Sequence, residues 1–163
     1  MIFLETARLG ISEITITDIT EVIEIENNPL VKEYICLSSY DDYLIMLSDP
    51  NIKVLGLYEG EDARVIGFVI VDETERSLVK IKRMALIEQS QGYGFEAMQE
   101  ILNYYFASQA NKIWLEVYND NYKAIKLYEK IGMIKDKLAL QTYKIECDCP
   151  SIIVYSIENN YPN

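Results

Sequence analysis

Residues 87–98 read IEQSQGYGFEAM and place Gly92 and Gly94 one residue apart, just ahead of a helical pattern. Glycines let consecutive backbone N–H groups turn toward one ligand, and a helix N-terminus adds partial positive charge. Together they can cradle a phosphate without a lysine. Three chemistries compete for the stretch. A Walker phosphate loop needs Gly-Lys-Ser/Thr at its end, whereas Gly94 is followed by Phe95 and Glu96, so that reading fails. A dinucleotide fingerprint, G-x-G-x-x-G/A, fits by letter at Gly92, Gly94 and Ala97, with Glu116 where a ribose-binding acid would stand. Against it, Ile87 to Gln91 separate the apparent strand end from the first glycine, and too little chain follows to complete such a sheet. The third reading keeps Gln89 and takes Q-x-x-G-x-G as a backbone-amide cradle for a pyrophosphate. A structural turn with a helix cap is the non-functional alternative.

The chain has no histidine. Ser-His-Asp and Cys-His nucleophile systems are therefore excluded, and a general base must be carboxylate, tyrosine, lysine, cysteine or water. In KIWLEVY, Glu116 alternates with Leu115 and Val117 and so points to the side of Trp114 and Tyr118. Its non-catalytic reading is a solvated strand carboxylate. Further on, Asn121 and Tyr128 stand nearly two helical turns apart, with Ala124 between them on the same face. A small residue there would let an extended ligand arm lie against the helix. Asn121 is also a natural N-cap, and Tyr128, one of thirteen tyrosines, could be a core aromatic.

The elements that must position these residues follow from pattern. ARLGISEIT alternates imperfectly as a first strand. DITEVIEIEN starts at Asp18 with Glu21 three residues later, a capping pattern for a helix ending near Asn27 and Pro29. A second helix is expected around Ser39 to Leu47. Residues 52–73 read as two strands joined by a turn around Gly60. SLVKIKRMAL alternates apolar and cationic residues, a strand with one wetter face. Ala97, Met98, Ile101, Leu102, Tyr105 and Phe106 form one apolar stripe on the helix after the glycines. KIWLEVY is a strand, and NYKAIKLYEKIG an amphipathic helix with Gly132 as its C′ residue. Two more strands are expected, about Leu138 to Ile145 and Ile152 to Ser156. The order is α/β with a mixed sheet rather than a regular doubly wound repeat.

Composition narrows the partners. The length of 163 residues points to one domain, residues 1–163, able to bury a core without disulfides or structural metal. A net charge of −11 makes nucleic acid an unsuitable partner and tilts slightly toward cationic amines. Three cysteines, Cys36, Cys147 and Cys149, with no signal peptide pattern, point to a reducing cytoplasm. CDC could be half a metal site, but without histidine or a second cysteine pair no metal is expected. No apolar run reaches the roughly 18 residues of a membrane span.

The two motifs together carry a family resemblance. Gln89, Gly92 and Gly94 leading into a helix, then Asn121, Ala124, Leu127, Tyr128 and Gly132, resemble the acetyl-CoA loop and the N-x-x-A-x-x-L-Y-x-x-x-G-F segment of the GNAT superfamily of N-acetyltransferases. Met133 replaces the usual phenylalanine. The opening ETARL resembles the branch that acetylates ribosomal-protein N-termini. The resemblance runs from about Glu5 to Ile157 and is most specific from Arg83 to Met133. It implies a mixed, mostly antiparallel sheet of about six to seven strands flanked by about four helices, with acetyl-CoA as cosubstrate. It implies CoA contacts at Gln89, Ser90, Gln91, Gly92, Tyr93, Gly94 and Phe95, with Asn121 on the pantetheine arm. Backbone N–H from the preceding strand, Lys82, Arg83 and Met84 within a residue or two, would polarise the thioester carbonyl. Two departures stand out: ALIEQ occupies the place of the usual proline, and Ser90 that of a loop glycine.

The implied reaction is acetyl transfer to a primary amine. Tyr128 is the candidate general acid for the departing thiolate, and Glu116 the candidate base, acting through water. If Glu116 is not the base, Glu33, Asp72 or a water chain remain. The acceptor is not legible: a protein N-terminus, polyamine, aminoglycoside or amino acid all fit. Two other readings stay open, a catalytically silent acyl-CoA-binding module and a dinucleotide-binding enzyme. The last strands offer a route to a homodimer.

Overall fold

The computed structural model describes residues 1–60, 64–87, 91–137 and 151–160. Its elements in chain order are β1 (Phe3–Glu5), β2 (Leu9–Glu13), a short 3-10 turn (Ile16–Asp18), α1 (Ile19–Glu26), α2 (Tyr40–Ser48), β3 (Ile52–Glu59), β4 (Arg64–Asp72), β5 (Leu78–Leu86), α3 (Tyr93–Ser108), β6 (Lys112–Tyr118), α4 (Tyr122–Lys130), β7 (Ile134–Lys135) and β8 (Ile152–Glu158). Among the described residues the sheet has eight strands in the order β1-β2-β3-β4-β5-β6-β8-β7. Every neighbouring pair is antiparallel except β5 and β6. This is the expected mixed α/β fold, with strands beyond the six or seven anticipated. The additions, β1 and β7, span three and two residues, too short to show a period. The strand expected at Leu138 to Ile145 lies outside the described residues, as do Cys147 and Cys149.

Alternation along the central strands builds two cores. In β4, Val69 and Val71 join the cluster of Ala97, Met98, Ile101 and Tyr105 from α3 and Tyr128 from α4. Phe68 and Ile70, on the other face, pack with Ile19, Val22 and Ile25 of α1 and Tyr43 of α2. Successive strand residues point to opposite faces, so α1 and α2 cover one face, α3 and α4 the other.

Local signals explain most element ends. Ser39 caps α2 reciprocally with Asp42, the Asp42 amide donating to Oγ at 3.2 Å and the Ser39 amide to the Asp42 carboxylate at 2.7 Å. At α1 the expected cap is displaced. Asp18 makes no side-chain cap there and instead accepts from the Thr15 amide at 2.7 Å, closing the 3-10 turn one step earlier. Gly60 and Gly132 have φ of 71° and 95°, the left-handed region their turns require. Met133 is buried in the α3/α4 core, which fits a packing role for the residue that departs from the family pattern.

Candidate active site

The site begins where β5 and β6 part. Their parallel ladder runs from Leu78↔Lys112 to Ile81↔Leu115. Beyond that, β5 continues to Leu86 beside β4, and β6 continues to Tyr118 beside β8, without pairing to each other. At this point β5 also carries a bulge: Ile70 faces Arg83 and Val71 faces Ile81, so Lys82 is the extra residue. A bulge bends its strand and re-aims local backbone groups. Lys82–Met84, expected to meet the thioester carbonyl, thus lies where the sheet opens. Lys82 is exposed, and Met84 packs partly against the α3/α4 core.

The glycine turn follows. Gln89 and Ser90 lie outside the described residues; Gln91 to Phe95 are within them. Gly92 has φ 80° and is the N-cap of α3, so the cap offers no side-chain acceptor to the first-turn amides. Those amides keep their capacity for an anion. Gly94 has a different job. A Cβ there would come within 3.1 Å of Leu127 Cδ2 and 3.2 Å of Leu86 Cδ1, so it lets α3 close onto α4 and the end of β5. Phe95 lies under the Lys130 ammonium, 4.6 Å from its ring centroid.

The sequence reading missed Arg8 and Glu96. Arg8 Nη1 donates to the Gln91 carbonyl at 2.8 Å, and Nε donates to Glu96 Oε2 at 2.7 Å. Its guanidinium also covers the Tyr93 ring at 4.3 Å, while the Tyr93 hydroxyl donates to Glu59. Glu96 further accepts from the Thr6 hydroxyl and the Arg8 amide. Desolvation works against the Glu96 charge, but the Thr6 and Arg8 hydrogen bonds outweigh it and hold the carboxyl below its usual range. ETARL contained the Arg8 half of the signal, without any hint that its partner lay some 90 residues on.

On α4, Asn121 performs the cap anticipated from its type, with Oδ1 accepting from the Ala124 amide at 3.3 Å. This leaves its Nδ2 group as a donor for a ligand. Tyr128 is buried in the α3/α4 core beside Tyr155, with ring centroids 6.5 Å apart. Among the described residues no group hydrogen-bonds its hydroxyl. Burial pushes its phenol up to about 12. It is therefore neutral at ordinary pH and can donate.

Glu116 lies on the opposite face, with Trp114, as strand alternation predicted. It is not a solvated carboxylate. Lys80 Nζ sits 2.7 Å from Oε2 with both side chains largely buried, and the same ammonium lies 4.7 Å from the Trp114 ring centroid. The wetter face expected for SLVKIKRMAL holds only at Lys82, which is exposed. Lys80 pairs with Glu116, and Arg83 turns inward to Glu26 and Ser38. Glu26 is fully buried and also accepts from the Tyr43 hydroxyl at 2.6 Å and the Ser38 amide at 2.8 Å. Burial and then the Glu26 hydrogen bond push the Tyr43 phenol up. Arg83 was expected to meet the cofactor through its backbone; its side chain ties β5 to α1 and does not bear on that contact.

The arrangement presents a slot between two strands, with a phenol on one face and a carboxylate on the other. Solved structures share the fold at low sequence identity. The chain aligns over 98% of its length with the whole of an acetyltransferase (GNAT family) from Bacillus anthracis, at 20% identity and TM-score 0.79. It aligns over 94% with 97% of the spermidine N-acetyltransferase from Vibrio cholerae, solved with CoA and spermine, at 18% identity and TM-score 0.76. A domain from Methanocaldococcus jannaschii matches over 92% of this chain and 97% of its own, at 19% identity and TM-score 0.75. No curated protein sequence matches significantly. The model of the Acetyltransferase (GNAT) family matches residues 19–133, the span holding α1, the parting strands, the glycine turn and Tyr128. The chain belongs to the GNAT acetyltransferase family.

Proposed function

We propose that the chain moves an acetyl group from acetyl-CoA to a primary amine by direct attack through a tetrahedral intermediate. The observation that carries this reading is the coincidence of three features: the end of the β5/β6 ladder, the Lys82 bulge, and the glycine-capped start of α3. An extended pantetheine arm would fill the parted strands, with its pyrophosphate at Gln89–Phe95. Backbone N–H from Lys82–Met84 would meet the thioester carbonyl; a donor aimed at developing oxyanion charge is worth about 3 kcal/mol. Asn121 would hold the arm through Nδ2.

In this reading the amine enters on the Glu116 face and the thiol leaves on the Tyr128 face. A lysine-like amine, with pKa near 10, must lose a proton before attack. Glu116 would take that proton through water, with the incoming ammonium competing against Lys80 for the carboxylate. The C–N bond then forms and the C–S bond breaks. A phenol near 12 does not surrender its proton fully to a thiolate whose acid is near 8.5. Tyr128 therefore acts chiefly as a hydrogen-bond donor to sulfur while charge develops.

The reading treats residues 1–163 as one cytoplasmic domain, with dimerisation through the C-terminal strands checked by light scattering. The likeness to the ribosomal-protein branch rests on ETARL, which precedes the family match at residues 19–133. The net charge of −11 makes a polyamine the first acceptor to try, as the Vibrio cholerae enzyme is a spermidine N-acetyltransferase. A thiol-release assay over polyamines, aminoglycosides, amino acids and N-terminal peptides tests the proposal. Acetyl-CoA binding without thiol release on any acceptor would favour the silent binding module instead.

A further inference from the structure

We propose that Arg8 is a positioning residue for the phosphates of CoA, holding the turn before α3 in its anion-binding shape. This rests on the reading of that turn as the CoA site. The turn between β1 and β2 is built for the purpose by Thr6, whose hydroxyl accepts from the Leu9 amide at 2.9 Å and donates to Glu96. It delivers Arg8 beside the glycine cap, where a Cβ on Gly92 would lie 3.3 Å from Arg8 Nη2. The guanidinium then holds both sides of the cap: the Gln91 carbonyl before it through Nη1, and Glu96 after it through Nε and Nη2. The Tyr93 ring supports the guanidinium from its flat side.

Two consequences follow. A cap at Gly92 has no side-chain staple, so its backbone is fixed from outside, by a fork whose planar geometry lysine cannot reproduce. Glu96 would also place negative charge in the first turn, against an arriving pyrophosphate. Arg8 neutralises it and, among the described residues, keeps two of its five N–H groups for phosphate oxygens.

Calorimetric titration with CoA, with 3′-phospho-ADP (phosphates without the arm) and with pantetheine (the arm without phosphates) tests this. Arg8→Ala should weaken CoA and 3′-phospho-ADP by roughly tenfold, the effect of one charge-assisted hydrogen bond, and leave pantetheine unchanged. Arg8→Lys keeps the charge and loses the fork, so it should stay at least about threefold weaker than the parent. If the alanine variant does not fold, the lysine variant carries the same comparison. Unchanged CoA affinity, or equal weakening of all three ligands, overturns the role. Failure of the parent protein itself to bind CoA overturns the underlying reading as well.

Discussion

Two carboxylates on the same sheet face, Glu26 and Glu116, each pair with a cation from β5, and they have opposite prospects. Glu26 is fully buried, and its two oxygens receive the Arg83 guanidinium, the Tyr43 hydroxyl and the Ser38 amide. Such a group is saturated; it holds α1 and the chain entering α2 to the central strand. Glu116 retains some exposure and stands on β6 just past the last β5/β6 pair, where the sheet opens. The same chemical pairing therefore serves as a brace in one place and as a candidate proton acceptor in the other. What separates them is the depth of burial and the presence of an opening, not residue type.

Mutation can break that contrast. Glu26→Ala should cost about 3–5 kcal/mol in denaturant unfolding, because it strands Arg83 in a nearly dry site. A loss under about 1 kcal/mol would show that Glu26 is no brace. Glu116→Gln should instead act on rate, lowering kcat by about a hundredfold at nearly unchanged CoA affinity. A larger loss of stability than of rate would move Glu116 into the class of Glu26. Tyr128→Phe should reduce kcat by roughly tenfold or more at nearly constant CoA affinity and stability, since its hydroxyl carries no bond among the described residues. Unaltered kcat would remove it from the mechanism. Gly92→Ala should cost about 1–2 kcal/mol through its left-handed φ and loosen CoA binding by crowding Arg8.

The smallest effect concerns alkaline pH. The Tyr128 phenol is raised by burial from its ordinary value of about 10 to about 12. The folded state thus holds its proton more tightly than the unfolded chain. Its contribution to stability is full below about pH 10 and is lost as pH rises through about 12. Tyr128→Phe should blunt that part of the alkaline unfolding curve, and an identical curve would contradict the assignment.

Local residue chemistry accounts for what could be read in advance. The helix expected from Ser39, the turn at Gly60, the C′ glycine at Gly132, the stripe on α3 and the Asn121 cap are all decided within a few residues of chain. The displaced cap at Asp18 shows the limit, since Thr15 competed successfully for the same side chain. β1 and β7 were invisible because two or three residues cannot display a period.

For the site, the sequence by itself determined which groups were available. No histidine left proton transfer to carboxylate, tyrosine, lysine, cysteine or water, two glycines allowed an anion-tolerant turn, and NYKAIKLYEKIG set Asn121, Ala124 and Tyr128 on one helix face. Only tertiary structure decided how those groups are engaged. Lys80 and Arg83 looked like a wet strand face and are paired inward; Arg83 became a tie to Glu26; Arg8 came to rest on Gln91 and Glu96. The physical reason is range. Backbone caps and helix periodicity act between neighbours in sequence, whereas a charge is placed by whichever partner the sheet brings within hydrogen-bond reach.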